Sequence, residues 1–413
     1  MATLTAAWAG FTEELATLST ALGVEDFRNT GDGRPFDALG QPPAPHVLAA
    51  ARAVDRTPAI LWARAGLRGR ADRLGRLVGA YGLELNAAVK ACRTPAVLVL
   101  LAGAGLGADV ASMAELGCAQ RAGFGRISAT GPGFRDVDIA GLSGTGVLFD
   151  AQSVTQLDQM LRHGGTDRIG LRLRVPLPEG LRSSTSRGAE SRFGLVLSPE
   201  LLDRLATAGA RVTRLRVHSG EATARTLEFR TRYAVLAAGL LGTVEELNLG
   251  GGLLRLSREP GALEGALEFV AAALKAAPEP GFRSWVEPGA ALVLDSAYLV
   301  TEVLDVYRNA GGPALTVDAS AWNIAPWTYP SFYPVAGEPH RFGGTVFGPT
   351  LYEKDAFHRD ATPPDRGPCP AVGDRLVGTS FGAYTLSNVR RFAGLAPPRQ
   401  YVVIRNTLEV IDD

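Results

Sequence analysis

The stretch Leu83-Glu84-Leu85-Asn86-Ala87-Ala88-Val89-Lys90 is a short apolar run that ends on a lysine. Lysine occurs only three times in the 413 residues, at Lys90, Lys275 and Lys354, so 39 of the 42 basic residues are arginine. An arginine keeps its proton near neutral pH, whereas a partly desolvated lysine amine can lose it and form a Schiff base. The position therefore predicts an amine that carries a cofactor. The alternative is a lysine whose charged end only reaches solvent at the end of a strand.

Similar apolar runs recur along the chain and alternate with amphipathic segments of helical length. About eight short strands separated by helices are typical of parallel βα units, and roughly 230 residues of them match the size of a (β/α)8 barrel. We therefore predict an α/β fold built on a TIM barrel, with a doubly wound sheet as the alternative. The runs are Ala59–Trp62, Leu83–Val89, Ala108–Val110, Ile127–Ala129, Gly146–Phe149, Ile169–Val175, Val212–Val217, Glu246–Leu249 and Trp285–Glu287.

The pattern changes after about residue 295, where Leu299–Tyr307 alternates between apolar and polar residues. Further strand-like pieces follow, separated by turns rich in Pro, Gly and Asp, which predicts a C-terminal β domain. The predicted domains are an N-terminal extension at 1–56 that partly joins the β domain, a cofactor-binding barrel at 57–296 and the β domain at 297–413. In the extension, a helical pattern from Trp8 to Leu22 precedes a Pro/Gly-rich stretch, Gly31–Pro45.

Composition excludes several classes of protein. The formal net charge is zero and no block of like charge occurs, which argues against nucleic acid or an anionic membrane as a partner. Cys92, Cys118 and Cys369 are too few and too scattered for a disulfide framework or a metal site. No run of about 18 apolar residues and no leader-like N-terminus is present. These features predict a soluble cytoplasmic protein without a metal.

Polar residues that directly follow apolar runs are the candidate functional groups, because a barrel of this kind places its active site at the carboxyl ends of its strands. His218 follows Val212–Val217, and three glycines, Gly250–Gly252, follow Leu249. Glu287 ends the last run before Pro288. A histidine can stack on a flat ring, and glycines let backbone N–H groups approach a phosphate. Each of these also fits a structural role: a packed histidine, a tight turn or a solvated acid.

The order of the motifs is more informative than any one of them. Together they resemble the fold-type III pyridoxal-phosphate decarboxylases, a group that includes diaminopimelate, ornithine and arginine decarboxylases and shares its barrel with alanine racemase. The resemblance runs from about Thr57 to the C-terminus. The motifs are Lys90 in Ala88–Ala91, Gly107–Ser112 with Glu115, Thr130–Gly133, Ser191–Gly194, His218, Gly250–Gly252, Glu287–Gly289, Gly348–Thr350 and Gly382–Tyr384.

The resemblance implies a role for each of these residues toward pyridoxal 5'-phosphate. Lys90 would hold the cofactor covalently, Glu287 would face its pyridine nitrogen and His218 would stack on its ring. Gly250, Gly251, Gly252 and Tyr384 would bind the phosphate. Supporting positions are implied for Asp109, Glu115, Arg172 and Arg192. The resemblance also implies a homodimer with shared active sites.

Departures from the family pattern bear on the substrate. The arginine that usually follows Glu-Pro-Gly is Ala290, and a second arginine, ahead of the substrate tyrosine Tyr329, is replaced by Ala325. Without these guanidinium groups a free distal carboxylate would be left unpaired, at a cost of roughly 1–3 kcal/mol. Diaminopimelate is therefore disfavoured as the substrate.

The Gly-Pro-Thr motif shows a second departure. The usual cysteine and acid after it are Leu351 and Tyr352, which disfavours ornithine and arginine unless Glu353 or Asp355 supplies the acid. Tyr352 is the candidate proton donor in place of the cysteine. Trp327 and Phe332 add to this less polar set. The set favours a small apolar amino acid or one whose distal group is masked as an amide, an ester or a carrier-protein thioester.

Three functions follow from the sequence. The first is a decarboxylase of a non-standard amino acid in specialised metabolism. The second is a racemase or a decarboxylation-coupled oxidative deaminase, which the missing cysteine favours. The third is an inactive regulatory relative, which the presence of Lys90, His218, Glu287 and Tyr384 disfavours.

Overall fold

The computed structural model describes residues 2–23, 42–182, 185, 187–277, 281–357, 367–405 and 407–411. Its strands are β1 (Ala59–Ala63), β2 (Leu83–Ala88), β3 (Gly107–Val110), β4 (Ile127–Ala129), β5 (Leu148–Ala151), β6 (Ile169–Leu173), β7 (Val212–Val217), β8 (Glu246–Asn248), β9 (Arg283–Val286), β10 (Ala297–Asn309), β11 (Gly312–Val317), β12 (Phe332–Pro334), β13 (Thr345–Phe347), β14 (Ala356–Phe357), β15 (Arg375–Gly378), β16 (Arg399–Ile404) and β17 (Thr407–Val410). Its helices are α1 (Ala2–Leu22), α2 (Pro45–Ala53), α3 (Arg64–Ala80), α4 (Pro95–Gly103), α5 (Met113–Ala122), α6 (Asp136–Leu142), α7 (Val154–Gly164), α8 (Pro199–Thr207), α9 (Ala224–Leu241), α10 (Leu254–Arg258), α11 (Ala262–Lys275), α12 (Ala290–Val293) and α13 (Ala321–Ile324).

Strands β2 to β9 form a closed barrel in which every pair of neighbours is parallel and β9 pairs back to β2. Their residues are almost all buried, as expected of strands that face side chains inside the barrel and helices outside it. The barrel belongs to a unit built on Arg73–Val89 and Leu101–Ala291, together with α1. The predicted TIM barrel is confirmed.

Several barrel helices begin at a serine or threonine that follows a strand. The side chains of Ser112, Ser153, Ser198 and Thr223 each accept a hydrogen bond from the backbone N–H three residues later. Such caps satisfy N–H groups that have no partner within the helix. They define where α5, α7, α8 and α9 begin and leave the preceding loops at the carboxyl ends of the strands.

The second unit contains a nine-stranded mixed sheet, which confirms the predicted C-terminal β domain. Its main order is β14-β13-β11-β10-β1-β16-β17, and β15 pairs with both β10 and β12. This unit includes Lys90–Leu100 and the described parts of Phe36–Asp72 and Leu292–Asp413. The apolar face of α2, with Val47, Leu48 and Ala51, packs into its core beside Leu61 and Val300.

Strand β1 corrects one expectation. The run at Ala59 was placed first in the barrel series, but β1 lies in the mixed sheet, antiparallel to β10 and parallel to β16. Its five residues are all buried, so its pattern matches that of a barrel strand. What distinguishes it is pairing with segments more than 230 residues away, as Ala59 opposes Val300, and local periodicity carries no information about such partners. The domain limits stay a prediction.

The helix predicted in the N-terminal extension is α1. Its Phe11 ring lies 5.3 Å from the ring of Trp8 and 6.3 Å from that of Tyr233 on α9. Most of the Pro/Gly-rich stretch Gly31–Pro45 lies outside the described residues. Among the helices that the structure describes, none is both long enough and apolar enough to cross a membrane.

Candidate active site

The barrel interior contains a buried ion-pair cluster near its middle. Nε of Arg214 on β7 lies 2.6 Å from Oδ1 of Asp150 on β5, and Nη1 lies 3.4 Å from Glu246 on β8. A Cβ on Gly170 of β6 would overlap both Asp150 and Arg214, so glycine makes room for the pair. Burial raises the pKa of Asp150, and the adjacent Arg214 opposes that rise. These ion pairs join strands of the barrel to one another, so we interpret the cluster as structural.

A second cluster lies two residues further along the same strand. Arg216 donates to both carboxylate oxygens of Asp109 on β3, with Nη2 to Oδ2 at 2.9 Å. Nη2 also lies 2.7 Å from Oε2 of Glu287, which follows β9. Burial alone would lower the pKa of Arg216, but the two carboxylates raise it above its usual range. One guanidinium therefore holds both carboxylates, and Arg172 is a second, partly buried cation whose charge acts on the same two acids.

Glu287 is the acid of this cluster that follows the last barrel strand, β9. Its Oε1 accepts hydrogen bonds from Ser128 at 3.0 Å and from Asn248 at 2.5 Å. Its Oε2 is buried and has no hydrogen-bond partner, although Arg216 lies within ion-pair distance. Burial raises the pKa of Glu287 to about 7, against the opposing effect of Arg216. A buried carboxylate oxygen without a hydrogen bond is costly and indicates a missing donor.

His218 and the glycine triplet form one continuous surface at the ends of β7 and β8. Nδ1 of His218 accepts a hydrogen bond from the N–H of Gly251 at 3.2 Å, so the ring proton lies on Nε2 when the imidazole is neutral. A Cβ on Gly250 would lie 2.9 Å from that same Nδ1, and Gly250 has a φ of +70°. Gly250 therefore permits both the turn and the close approach of the imidazole.

Two N–H groups of the triplet donate hydrogen bonds to side chains of the protein. Gly250 N–H donates to Oδ1 of Asn248 at 2.9 Å, and Gly251 N–H donates to His218. A Cβ on Gly251 would overlap the carbonyl oxygen of Glu287, and one on Gly252 would overlap that of Gly220. Two of the three predicted phosphate-binding amides thus already have partners.

Lys90 and Tyr384 are close to each other in the second unit. Lys90 lies in a single 3-10 turn, Val89–Ala91, directly after β2. The N–H of Tyr384 donates to the carbonyl oxygen of Ala91 at 2.9 Å. Tyr384 has a left-handed backbone with φ of 54°, and its ring stacks on Trp327 at 4.3 Å. The structure thereby brings together the two residues that the resemblance assigned to the cofactor in this unit.

Comparison with known proteins identifies the family. Residues 72–294, just over half of the chain, match the family described as pyridoxal-dependent decarboxylase, pyridoxal binding domain. The chain belongs to this family. It is 28% identical over 335 residues to a diaminopimelate decarboxylase of Deinococcus radiodurans, covering 77% of this chain and 85% of the relative.

Two further relatives agree with this assignment. A lysine/ornithine decarboxylase of Selenomonas ruminantium is 26% identical over 338 residues, covering 75% of this chain and 81% of that protein. The crystal structure of a diaminopimelate decarboxylase from Helicobacter pylori complexed with L-lysine, an I148L mutant, superposes with a TM-score of 0.76 at 21% identity, over 88% of this chain and 95% of that one. The predicted membership of the fold-type III decarboxylases is confirmed.

The residues of this pyridoxal-dependent decarboxylase fit the cofactor that its family uses. Oε2 of Glu287 lacks a hydrogen-bond donor, and a protonated pyridine nitrogen is such a donor. A Cβ on any glycine of the triplet would overlap a backbone carbonyl oxygen at the end of β7 or β9, so close packing of these strand ends requires glycine there.

The residues predicted to contact the substrate lie on different elements and differ in exposure. Ala290 begins α12, and Ala325 ends α13 in a left-handed conformation with φ of 47° and ψ of 54°. Tyr329 is partly buried, whereas Leu351 is fully exposed. The Tyr352 ring packs edge-on against Trp322 at 4.6 Å.

Of the two acids predicted as replacements for the missing one, Glu353 is exposed and Asp355 is almost fully buried. The Asp355 carboxylate accepts hydrogen bonds from Ser320, from the N–H of Trp322 and from Thr350 at 2.6 Å. Its role is therefore to hold α13 beside the Gly348–Thr350 turn. It is not available to meet a substrate cation.

The sequence interpretation missed Arg216, Ser128 and Asn248, which hold Glu287 and Asp109 in place. A signal was present in β7, where Arg214 and Arg216 alternate within an apolar strand. Residues two apart point to the same side of a strand, and a buried arginine needs an acidic partner. Two inward arginines therefore predict inward carboxylates on neighbouring strands.

Proposed function

We propose that this protein is a pyridoxal-phosphate-dependent decarboxylase that acts on an amino acid whose distal end carries no free charge. The observation that carries the catalytic part is Glu287, a buried acid with one oxygen held by Ser128 and Asn248 and the other without a hydrogen bond. Its pKa, raised by burial to about 7, suits a group that shares a proton with a pyridine nitrogen.

In this proposal each side chain has one task. The Lys90 amine binds the cofactor covalently, and the bound cofactor supplies an electron sink for the pair of electrons left when carbon dioxide departs. Glu287 holds the proton at the pyridine nitrogen, with Arg216 and Asp109 fixing its position. His218, held by Gly251, presents its ring face to the cofactor, and backbone N–H groups after Gly251 bind the phosphate with Tyr384.

The substrate part of the proposal depends on groups that are missing. Ala290 and Ala325 replace two arginines of the family pattern, and Leu351 occupies a position after Gly-Pro-Thr where a reactive side chain is usual. Asp355 is committed to α13. A free distal carboxylate would then lose its counter-charge, at roughly 1–3 kcal/mol, and a distal ammonium would keep one only if the exposed Glu353 supplied it. An amide, an ester or a carrier-protein thioester avoids that loss.

Matched substrate pairs test this specificity. Release of carbon dioxide would be followed for lysine against its Nε-acetyl form, and for diaminopimelate against an amide of its distal carboxylate. We expect the masked member to have the higher kcat/KM by roughly ten-fold or more, equivalent to about 1.4 kcal/mol. Preference for the charged member contradicts the substrate proposal. In the matched variant Ala290→Arg, the preference should shift toward a free carboxylate.

Leu351 also favours a second candidate reaction, a decarboxylation-coupled oxidative deamination. Where the usual cysteine is absent, the carbanion is protonated less readily and can instead react with molecular oxygen. Turnover under air and under argon separates the two reactions. Peroxide formed in step with carbon dioxide would favour the oxidative reaction, and equal amine yields in both atmospheres would favour simple decarboxylation.

A two-fold homodimer is part of the proposal. Leu351 follows the Gly348–Thr350 turn, is fully exposed and is a large apolar side chain. In the family that the chain resembles, the residues directly after this turn reach into the neighbouring subunit's site, and this resemblance supports the proposed interface. A second copy of this chain would bury it.

A further inference from the structure

Glu221 lies next to the glycine triplet and has no part in the function proposed above. It follows His218 by three residues, in the loop between β7 and α9. The N–H of Ala222 donates to the carbonyl oxygen of Gly252 at 2.9 Å, and Gly220 lies so close to Gly252 that a Cβ there would overlap it. The segment around Glu221 is therefore fixed against the last glycine.

The Glu221 carboxylate is bound to the backbone that follows the triplet. Its Oε1 accepts a hydrogen bond from the N–H of Arg255 at 2.8 Å. Burial raises the pKa of Glu221, and the backbone N–H groups of Arg255 and Leu254 oppose that rise by favouring the charged form. Because Gly250 and Gly251 already donate to side chains, the amides left for a phosphate adjoin those that Glu221 uses.

Arg230, on α9, is a buried arginine whose charge acts on Glu221. Its side chain is fully buried, and Nε, Nη1 and Nη2 all lack a hydrogen-bond partner among the described residues. Burial lowers the pKa of Arg230 to about 10, and Glu221 is the first of the two acids that oppose the change. A buried guanidinium without hydrogen bonds is costly and is relieved by an anion that reaches it.

We propose that Glu221 is a displaceable occupant of the phosphate site: the cofactor phosphate takes over the backbone amides after the glycine triplet, and the carboxylate turns to pair with Arg230. This inference rests on the proposed function, since it concerns how the same cofactor is held. It makes Glu221 and Arg230 positioning residues that set phosphate affinity. It also gives a role to a buried arginine whose side chain has no hydrogen-bond partner among the described residues.

The test is binding of three probes to apo-protein: pyridoxal 5'-phosphate, pyridoxal and inorganic phosphate. Glu221→Gln keeps a hydrogen-bond acceptor but removes the competing charge. We expect it to lower the Kd for pyridoxal phosphate and for inorganic phosphate by roughly ten-fold, as loss of one like-charge contact implies. The Kd for pyridoxal, which has no phosphate, should not change.

Arg230→Met provides the complementary test, since it leaves the displaced carboxylate without a partner. It should raise the Kd for pyridoxal phosphate, and the double variant Glu221→Gln/Arg230→Met should restore it. Circular dichroism shows whether each variant folds. If Glu221→Gln does not fold, Glu221→Ala takes its place. Equal affinities of wild type and Glu221→Gln for both phosphate probes would overturn this inference alone. Absence of any binding of pyridoxal phosphate by the wild type would overturn the proposed function with it.

Discussion

Nη2 of Arg216 lies 2.7 Å from Oε2 of Glu287, and both side chains are almost completely buried inside the barrel. The same guanidinium donates to both oxygens of Asp109. One arginine therefore holds the two acids that face the candidate cofactor site. This arrangement links the stability of the barrel to the charge of the site.

Arg216→Met should be strongly destabilising, because it leaves two buried carboxylates without their cation. We expect a loss of about 3–5 kcal/mol in the free energy of unfolding, measured by urea denaturation. Arg204→Met is the matched control: Arg204 pairs with Asp158 at 2.8 Å, but the two side chains are 47% and 42% exposed. Its loss should stay below about 1 kcal/mol. Similar losses in the two variants would contradict this account of the cluster.

Glu287→Gln should change how stability depends on pH. Between the usual pKa of 4.5 and the raised pKa of about 7, the folded wild-type protein binds more protons than the unfolded protein. Its free energy of unfolding therefore falls as pH rises through this window, whereas glutamine does not titrate. The free energy of unfolding of the variant minus that of the wild type should therefore rise with pH. The rise should be at most about 3 kcal/mol and should level off above about pH 7. Urea unfolding of apo-protein between about pH 4 and 8 measures it, and a flat difference would show that Glu287 is not perturbed.

Tyr352→Phe tests the candidate proton donor. The ring is kept, so its packing against Trp322 at 4.6 Å is retained while the hydroxyl is lost. We expect kcat to fall by roughly ten-fold or more, the usual scale of general acid catalysis, with little change in the Kd for the cofactor. Tyr307→Phe, whose ring stacks on Phe347, is the control. An unchanged kcat would limit Tyr352 to packing.

Leu351→Asp tests the proposed dimer. If a second copy covers Leu351, a charge there should shift the protein toward monomer, as measured by light scattering over a range of concentrations. Val372→Asp, at a position that is 64% exposed, should leave the mass unchanged. A wild type that is monomeric at all concentrations would remove this part of the proposal.

The sequence was sufficient to predict the barrel and the β domain, but not which of the two each strand belongs to. Leu83–Val89 and the seven later runs close into the barrel, because alternating strands and helices specify parallel βα units by local pattern alone. Ala59–Ala63 has the same apolar pattern but joins β10 and β16, segments far away in the chain. Long-range pairing of this kind is decided by packing, which local periodicity does not report.

The candidate site could be predicted in part for the same reason. Residues in short local motifs, such as His218, Gly250–Gly252 and Glu287, can be predicted from their position after strands. Ser128 and Asn248 were missed because a lone polar residue in a strand has no distinctive pattern. The relation of Glu221 to Arg255 and Arg230 was also not visible, since it depends on how two loops and a helix pack around Gly252.

Reductive trapping shows whether the Lys90 amine binds pyridoxal 5'-phosphate. Protein incubated with the cofactor would be treated with borohydride, digested and examined by mass spectrometry. We predict one reduced phosphopyridoxyl group on the peptide that contains Lys90, none after Lys90→Ala, and an unchanged result for Lys275→Ala at the exposed end of α11. Trapping at Lys275 or Lys354 in place of Lys90, or no cofactor on any lysine of the wild type, would contradict binding by Lys90.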